Sequence, residues 1–107
     1  MSDKFFELRI YTVYPDQLNN LMSLWNKNYK YITKYFKCIG VWNSKNGDIN
    51  KVYHMYEWDT YKQMDNQKNN FKKDSKMKLY IKNVKKMYLK QESIILEETE
   101  FSRKYKK

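Results

Sequence analysis

The chain is 107 residues long, the length of a single domain, and its formal net charge is +10 at pH 7. Its mean hydropathy of −1.02 is strongly polar, but an aromatic content of 18% excludes the disordered class, whose members are poor in aromatic side chains. Cys38 is the only cysteine, which excludes an internal disulfide, and no apolar stretch approaches the roughly 18 residues of a membrane span.

Most of the positive charge lies in residues 60–91, which contain ten lysines against Asp65 and Asp74. Of the 22 basic residues only Arg9 and Arg103 are arginines. Lysine without arginine is poorly suited to reading bases or clamping phosphates, so we do not expect nucleic acid as a partner. A solvated helix face is the simpler interpretation of the lysines, and a surface for an acidic partner or a membrane is the alternative.

Residues 4–13 alternate as a strand does. A period of two places Glu7, Arg9 and Tyr11 on one face and Leu8 and Ile10 on the other. An always-charged planar donor beside a carboxylate and a phenol indicates either a structural ion pair or an anion-binding site.

A helix is predicted next, because Pro15 ends the strand and Asp16 favours a helix N-terminus. Apolar residues then recur at spacings of three and four, which is typical of an amphipathic helix. They are Leu18, Leu21, Met22, Trp25, Tyr29, Ile32 and Phe36.

Residues 37–44 and 50–58 are predicted to form a hairpin, because Asn46 and Gly47 are a strong turn signal between them. A two-residue turn would set Ile39 opposite His54 and Val41 opposite Val52. A three-residue turn with Gly47 in a bulge would set Cys38 opposite His54 and Trp42 opposite Asn50. The pattern does not decide between these two registers.

A second helical region covers residues 60–72 and restarts at Asp74 or Ser75, and residues 87–97 are the last strand. The order β-α-β-β-α-β predicts an α+β, ferredoxin-like fold, with a four-stranded antiparallel sheet and helices on one face. The other face still carries apolar side chains, so we expect a second copy to cover it in a homodimer. The domain is predicted over residues 1–103, with a basic tail at residues 104–107.

His54 is the only histidine and therefore the first candidate for a general acid or base. A satisfied core histidine is the alternative. One histidine and one cysteine cannot supply a structural zinc site, and no acidic cluster matches a calcium loop, so no metal is expected. The two glycines, Gly40 and Gly47, stand apart and form no phosphate-binding loop, and no cofactor is expected.

Several blocks of the chain resemble the NIPSNAP family. They are ELRIY at residues 7–11 followed by Pro15, GVW at 40–42, GDINKVYH at 47–54, Tyr56 and Trp58, QES at 91–93 and FS at 101–102. The resemblance implies a ferredoxin-like fold that pairs into a dimeric α+β barrel, with a site in the cleft between sheet and helices. Related barrels include cofactor-independent monooxygenases and small-ligand binders, and larger members are associated with mitochondria and vesicle traffic.

The chain departs from the family pattern at three places. Asp16 stands where a glycine is usual, Met64 and Lys68 stand where arginines occur, and an Asp-Pro-x-Trp element reads DSKM at residues 74–77. An anionic ligand held by those arginines in relatives would therefore be held differently here.

The leading hypothesis is a small-molecule pocket on the sheet, with Arg9 and His54 as candidate catalytic residues. Four more residues are assigned to ligand binding, namely Glu7, Tyr11, Trp42 and Glu92. The ligand would be a small anionic or aromatic molecule, and any reaction would be cofactor-free oxygenation or isomerisation. The rival is a non-enzymatic interaction module in which Glu7, Arg9 and Glu92 form a buried ion network. Residues 1–4 lack the features of a leader peptide, so a cytoplasmic location is expected, with mitochondrial association as the alternative that the resemblance implies.

Overall fold

Four strands and three helices follow one another along residues 4–102, the part of the chain that the computed structural model describes. In chain order they are β1 (Phe5–Val13), α1 (Leu18–Ile32), β2 (Lys37–Asn43), β3 (Lys51–Trp58), α2 (Tyr61–Lys73), α3 (Ser75–Lys85) and β4 (Tyr88–Glu97). The strands form one antiparallel sheet in the order β2-β3-β1-β4. The predicted ferredoxin-like α+β fold is confirmed; the predicted tail at 104–107 lies outside the described residues.

The turn before α1 differs from the prediction. Asp16 does not open the helix but adopts a φ of 73°, in the left-handed region that glycine enters without steric cost. The helix therefore begins at Leu18, with Gln17 as its N-cap.

The second helical region is divided at Asp74, as predicted. Asp74 is extended, and its side chain accepts a hydrogen bond from the backbone N–H of Lys76 at 2.8 Å, which caps α3. Thr60 caps α2 in the same way by accepting from the N–H of Gln63 at 3.0 Å. The break lets both helices lie over the sheet.

The side chains of β1 alternate between the two faces of the sheet as predicted. Arg9 and Tyr11 lie on the face that packs against the helices. Cross-strand partners share a face, and the register pairs Arg9 with His54 on β3 and with Ser93 on β4. The histidine and the arginine are therefore direct neighbours on the covered face.

Neither predicted hairpin register is observed. Val41 lies opposite His54 and Trp42 opposite Tyr53, because the connection between β2 and β3 is longer than a tight turn. This register places Val41 on the face of His54 and Trp42 on the other face. The pairing shifts further along the hairpin, between Cys38 and Gly40.

The core lies between the sheet and the helices. Its most deeply buried apolar side chains include Val13, Ile32, Val52, Trp58 and Met77. The opposite sheet face leaves Trp42 and Ile94 exposed. Among residues 4–102 no helix has the length and apolar character needed to cross a membrane.

Candidate functional site

A cavity of about 400 Å³ lies between the covered face of the sheet and the three helices. It falls within the range of volumes typical of small-molecule sites. Its lining residues are Arg9, Tyr11, Trp25, Ile32, Phe36, His54, Tyr56, Lys68, Phe71, Lys72, Tyr80, Ile81, Val84, Lys85, Tyr88 and Gln91. Three predicted site residues, Arg9, Tyr11 and His54, are thus brought together at one cavity.

Arg9 is the most unusual of these residues because its Nε atom is buried and has no hydrogen-bond partner. Its guanidinium lies 5.4 Å from the ring centroid of Tyr11, and none of the salt bridges within residues 4–102 involves it. Burial lowers the pKa of Arg9, but Tyr11 and the other nearby acidic groups raise it by more, so the group stays charged. A buried charged donor without an acceptor is costly unless a ligand completes it.

Glu7 does not neutralise Arg9, although both are on the same face of β1. Its carboxylate accepts hydrogen bonds from Lys68 at 2.9 Å, Ser93 at 2.7 Å and Trp58 at 3.1 Å. Burial raises the pKa of Glu7, but the bonds from Lys68 and Ser93 hold it below its ordinary value, so the carboxyl group is ionised. Glu7 was predicted to bind the ligand, but the structure does not place it among the residues that line the cavity; its carboxylate joins β1 to its neighbours instead.

His54 is buried in a box of aromatic rings. Trp25 and Tyr11 meet its ring edge-on at centroid distances of 4.6 and 4.9 Å, and its Nδ1 lies 2.7 Å from the Tyr56 hydroxyl. Burial, and then the charge of Arg9, lower the pKa of His54 to about 3, so the imidazole is neutral near pH 7. In the tautomer with the proton on Nε2, the Tyr56 hydroxyl donates to Nδ1.

The phenols around the cavity are protonated donors rather than phenolates. Burial raises the pKa of Tyr11 to about 12 and raises that of Tyr56 well above its ordinary value. Tyr88 stacks on Tyr11 at a centroid distance of 4.4 Å, and burial raises the pKa of Tyr88 as well. A ligand oxygen in this cavity would therefore meet neutral hydroxyl groups beside one fixed positive charge.

The cavity does not include Trp42 or Glu92. Trp42 pairs with Tyr53 and Glu92 pairs with Ile10, so both lie on the open face, away from Arg9 and His54. Trp42 is 53% exposed and packs over Gly40, where an added Cβ would come within 2.6 Å of its ring. The prediction that these two residues share a pocket with Arg9 is corrected by the register. A buried network of Glu7, Arg9 and Glu92 is excluded for the same reason.

Other lining residues were not predicted from the sequence. Lys68, Lys72 and Lys85 bring basic groups from α2 and α3, and Trp25 and Tyr80 bring aromatic walls. Helical spacing does place Lys68, Phe71 and Lys72 on one side of α2. That spacing was the only available signal, and it does not show that this side meets the sheet.

The site combines an apolar wall with an anion anchor. The lining set contains four cationic side chains and no carboxylate. No group of three or more potential metal ligands occurs within the described residues 4–102. The arrangement suits a ligand with an apolar body and an oxyanion or enolate oxygen.

The NIPSNAP family model matches residues 6–103. The human protein NipSnap homolog 3B is 33% identical over 58 residues, which is 53% of this chain but only 24% of the human protein. A NIPSNAP-family protein of Agrobacterium tumefaciens has the same fold, with a TM-score of 0.89 at 19% identity over 95% of this chain and 91% of that one. SnoaB, a cofactor-independent oxygenase from Streptomyces nogalater, shares the fold at a TM-score of 0.68 and 8% identity, over 92% and 96% of the two chains. Since the family model spans nearly the whole chain, the protein belongs to the NIPSNAP family.

Proposed function

We propose that this NIPSNAP domain is a homodimer that binds a small, largely apolar carboxylate or enolate in the cavity between its sheet and helices. The observation that carries the proposal is the buried Nε of Arg9, which lacks an acceptor while the guanidinium lines a cavity of about 400 Å³. A planar guanidinium binds carboxylates in bidentate fashion, which lysine cannot do. An acidic ligand would supply the acceptor that the Nε atom of Arg9 lacks.

The charge around the cavity supports an anion. Arg9, Lys68, Lys72 and Lys85 line it and no carboxylate does. Lys68 is already paired with Glu7, so Arg9 is the unneutralised cation nearest the aromatic box. In a partly enclosed site of this kind the attraction between opposite charges is stronger than in water.

The walls support an apolar and planar ligand body. Trp25, Phe36, Phe71, Tyr80 and Tyr88 present aromatic rings to the cavity. Rings of this kind bury large areas and prefer offset or edge-on contact with other rings. An aromatic acid therefore matches both the walls and the anchor.

We assign the reaction class, as a step beyond binding, to cofactor-free oxygenation by dioxygen, or to isomerisation, of a substrate acidic enough to bind as its enolate after losing its proton to solvent. Arg9 would stabilise the enolate oxygen, and the hydroxyl of Tyr11 would donate a hydrogen bond to it. The likeness to SnoaB supports a compatible fold and nothing more. His54, with its pKa lowered to about 3, is too weak a base in the empty site to start the reaction alone.

The homodimer is supported by the open sheet face. Leu8, Ile10 and Ile94 lie on it together with Trp42, and no helix within residues 4–102 covers it. Pairing of two such faces would bury them in a barrel. We place the protein in the cytoplasm, where its single half-buried cysteine would stay reduced.

Binding of biphenyl-4-carboxylate, measured by calorimetry, tests the proposal. We expect Arg9→Gln to weaken it by about tenfold or more, because a hydrogen-bonded charge contributes about 1.5–3 kcal/mol. Lys78→Gln, which removes an exposed lysine outside the cavity, should leave the affinity unchanged. The neutral biphenyl-4-carboxamide should bind the wild type more weakly than the acid does. Equal affinity of Arg9→Gln and wild type for the acid would reject the proposal.

A non-enzymatic interaction module is the second candidate, favoured by the lysine-rich surface of α2 and α3. Lys62, Lys73 and Lys78 are exposed, and no carboxylate within residues 4–102 forms a salt bridge with them. Binding to phosphatidylserine vesicles that falls steeply with added NaCl would support this candidate. Absence of such binding at low salt would exclude a membrane surface as the partner.

A further inference from the structure

The cations of the cavity occur at two depths. Arg9 is half-buried on the sheet, and its Nε is enclosed. Lys72 on α2 and Lys85 on α3 are exposed to solvent and yet line the same cavity. Their exposure places them at its mouth, whereas Arg9 belongs to its floor.

The two mouth lysines differ from the other exposed lysines of their helices. Lys62 and Lys78 are also exposed on α2 and α3 but do not line the cavity. Lys72 and Lys85 come from different helices and reach one opening, and neither forms a salt bridge with a carboxylate of residues 4–102. The opening therefore carries a concentrated positive charge without an internal counter-ion.

From this arrangement we infer that the ligand is elongated and carries two acidic groups, one held by Arg9 on the floor and one by Lys72 and Lys85 at the mouth. The inference rests on the proposed function and specifies the ligand class of that site. An apolar body joins the two acidic groups and contacts the aromatic walls. A cavity of about 400 Å³ accommodates a body of two rings.

The two anchors suit different acidic groups. The floor presents a planar fork of donors, which matches a carboxylate. The mouth presents two ammonium groups on flexible stems, which attract a carboxylate or a phosphate as point charges. The outer group is therefore specified as an oxyanion, and the inner group as a carboxylate or enolate.

The test compares biphenyl-4-carboxylate with biphenyl-4,4′-dicarboxylate, naphthalene-2,6-dicarboxylate and the 4′-phosphate ester of 4′-hydroxybiphenyl-4-carboxylate. Calorimetry measures each affinity in the wild type, in the double variant Lys72→Gln/Lys85→Gln and in the double variant Lys62→Gln/Lys78→Gln. The second double variant is the matched control, because it removes the same charge from the same two helices outside the cavity.

We expect at least one probe with two acidic groups to bind the wild type about tenfold more tightly than the monocarboxylate does. The gain is modest because each partly exposed ion pair contributes little binding free energy. Lys72→Gln/Lys85→Gln should lose this gain and keep the monocarboxylate affinity, and the control should keep both. A gain in affinity confined to the phosphate ester would show that the mouth lysines bind a phosphate. A gain in affinity with a dicarboxylate would show that they bind a carboxylate.

Two results overturn the inference. One is equal binding of all probes by the wild type, and the other is an equal loss of the gain in both double variants, which would indicate nonspecific attraction. If the monocarboxylate binds and depends on Arg9 in either case, the proposed function stands while the two-ended ligand fails. If no probe binds the wild type, both are rejected.

Discussion

At the scale of single residues, the charge of Arg9 and the protonation state of His54 are linked. They are direct cross-strand neighbours on the covered face, where two positive charges would repel. Burial, and then the permanent charge of Arg9, lower the pKa of His54, so the histidine is neutral and shares one hydrogen bond with Tyr56. The only histidine of the chain thus lies in its neutral form at the wall of the cavity, directly beside Arg9.

His54 predicts a specific dependence of stability on pH. Its folded pKa of about 3 lies below the ordinary value of 6.5, so between these values the unfolded chain binds more protons and stability rises with pH. On lowering the pH from 6.5 to 5 we expect the wild type to lose on the order of 2 kcal/mol of unfolding free energy from this group.

Urea denaturation at a series of pH values measures this loss. His54→Gln should remove the slope between pH 6.5 and 5, whatever its own stability, since no other histidine titrates there. A variant that keeps the wild-type slope would show that His54 is not buried in its neutral form.

At the scale of elements, Glu7 ties four of them together. Its carboxylate on β1 accepts hydrogen bonds from Trp58 of β3, Lys68 of α2 and Ser93 of β4. Lys68 occupies one of the positions at which the resemblance to the NIPSNAP family implies an arginine. The lysine holds α2 to the sheet through Glu7, and this carboxylate forms no salt bridge with Arg9.

Glu7→Gln is expected to destabilise the fold by about 2–3 kcal/mol, because it leaves the part-buried ammonium of Lys68 without its counter-charge. Glu97→Gln, at an exposed position on β4, is the control and should change stability by less than about 0.5 kcal/mol. Denaturant unfolding at pH 7 measures both. A similar small change in the two variants would show that the Glu7 cluster contributes no net stability.

The sequence could predict the elements and the alternation within β1, because both depend on local periodicity and turn residues. It placed Arg9 and Tyr11 on one face correctly. It left the hairpin register open, and only the connection between β2 and β3 decides that Trp42 lies on the face opposite His54. Glu92 was missed for a similar reason, since its face depends on how β4 pairs with β1.

At the scale of the whole molecule, one sheet face is covered by helices and the other is open. The open face includes Leu8, Ile94 and Trp42, which would meet water in a monomer. The proposed dimer interface and the cavity would be separate features, because they lie on opposite faces of the same strands. Variants of one can therefore be tested without altering the contacts of the other.

We predict that Leu8→Lys and Ile94→Lys each convert the dimer into a monomer, because a charge would be buried in the paired faces. Ile49→Lys is the control; it adds the same charge at a side chain that is 61% exposed in the β2–β3 connection. Light scattering coupled to gel filtration gives the mass, and circular dichroism confirms folding. A monomeric wild type, or a folded dimer in both sheet variants, would contradict a dimer through this face.

The claim that Arg9 anchors an acidic ligand is tested most directly by a crystal structure of the protein with biphenyl-4-carboxylate. We predict electron density for the carboxylate in bidentate contact with the Arg9 guanidinium, with the rings among Trp25, Tyr80 and Tyr88. A structure in which the cavity is empty at a saturating concentration of the acid, with Arg9 paired to a carboxylate of its own chain, would contradict the account.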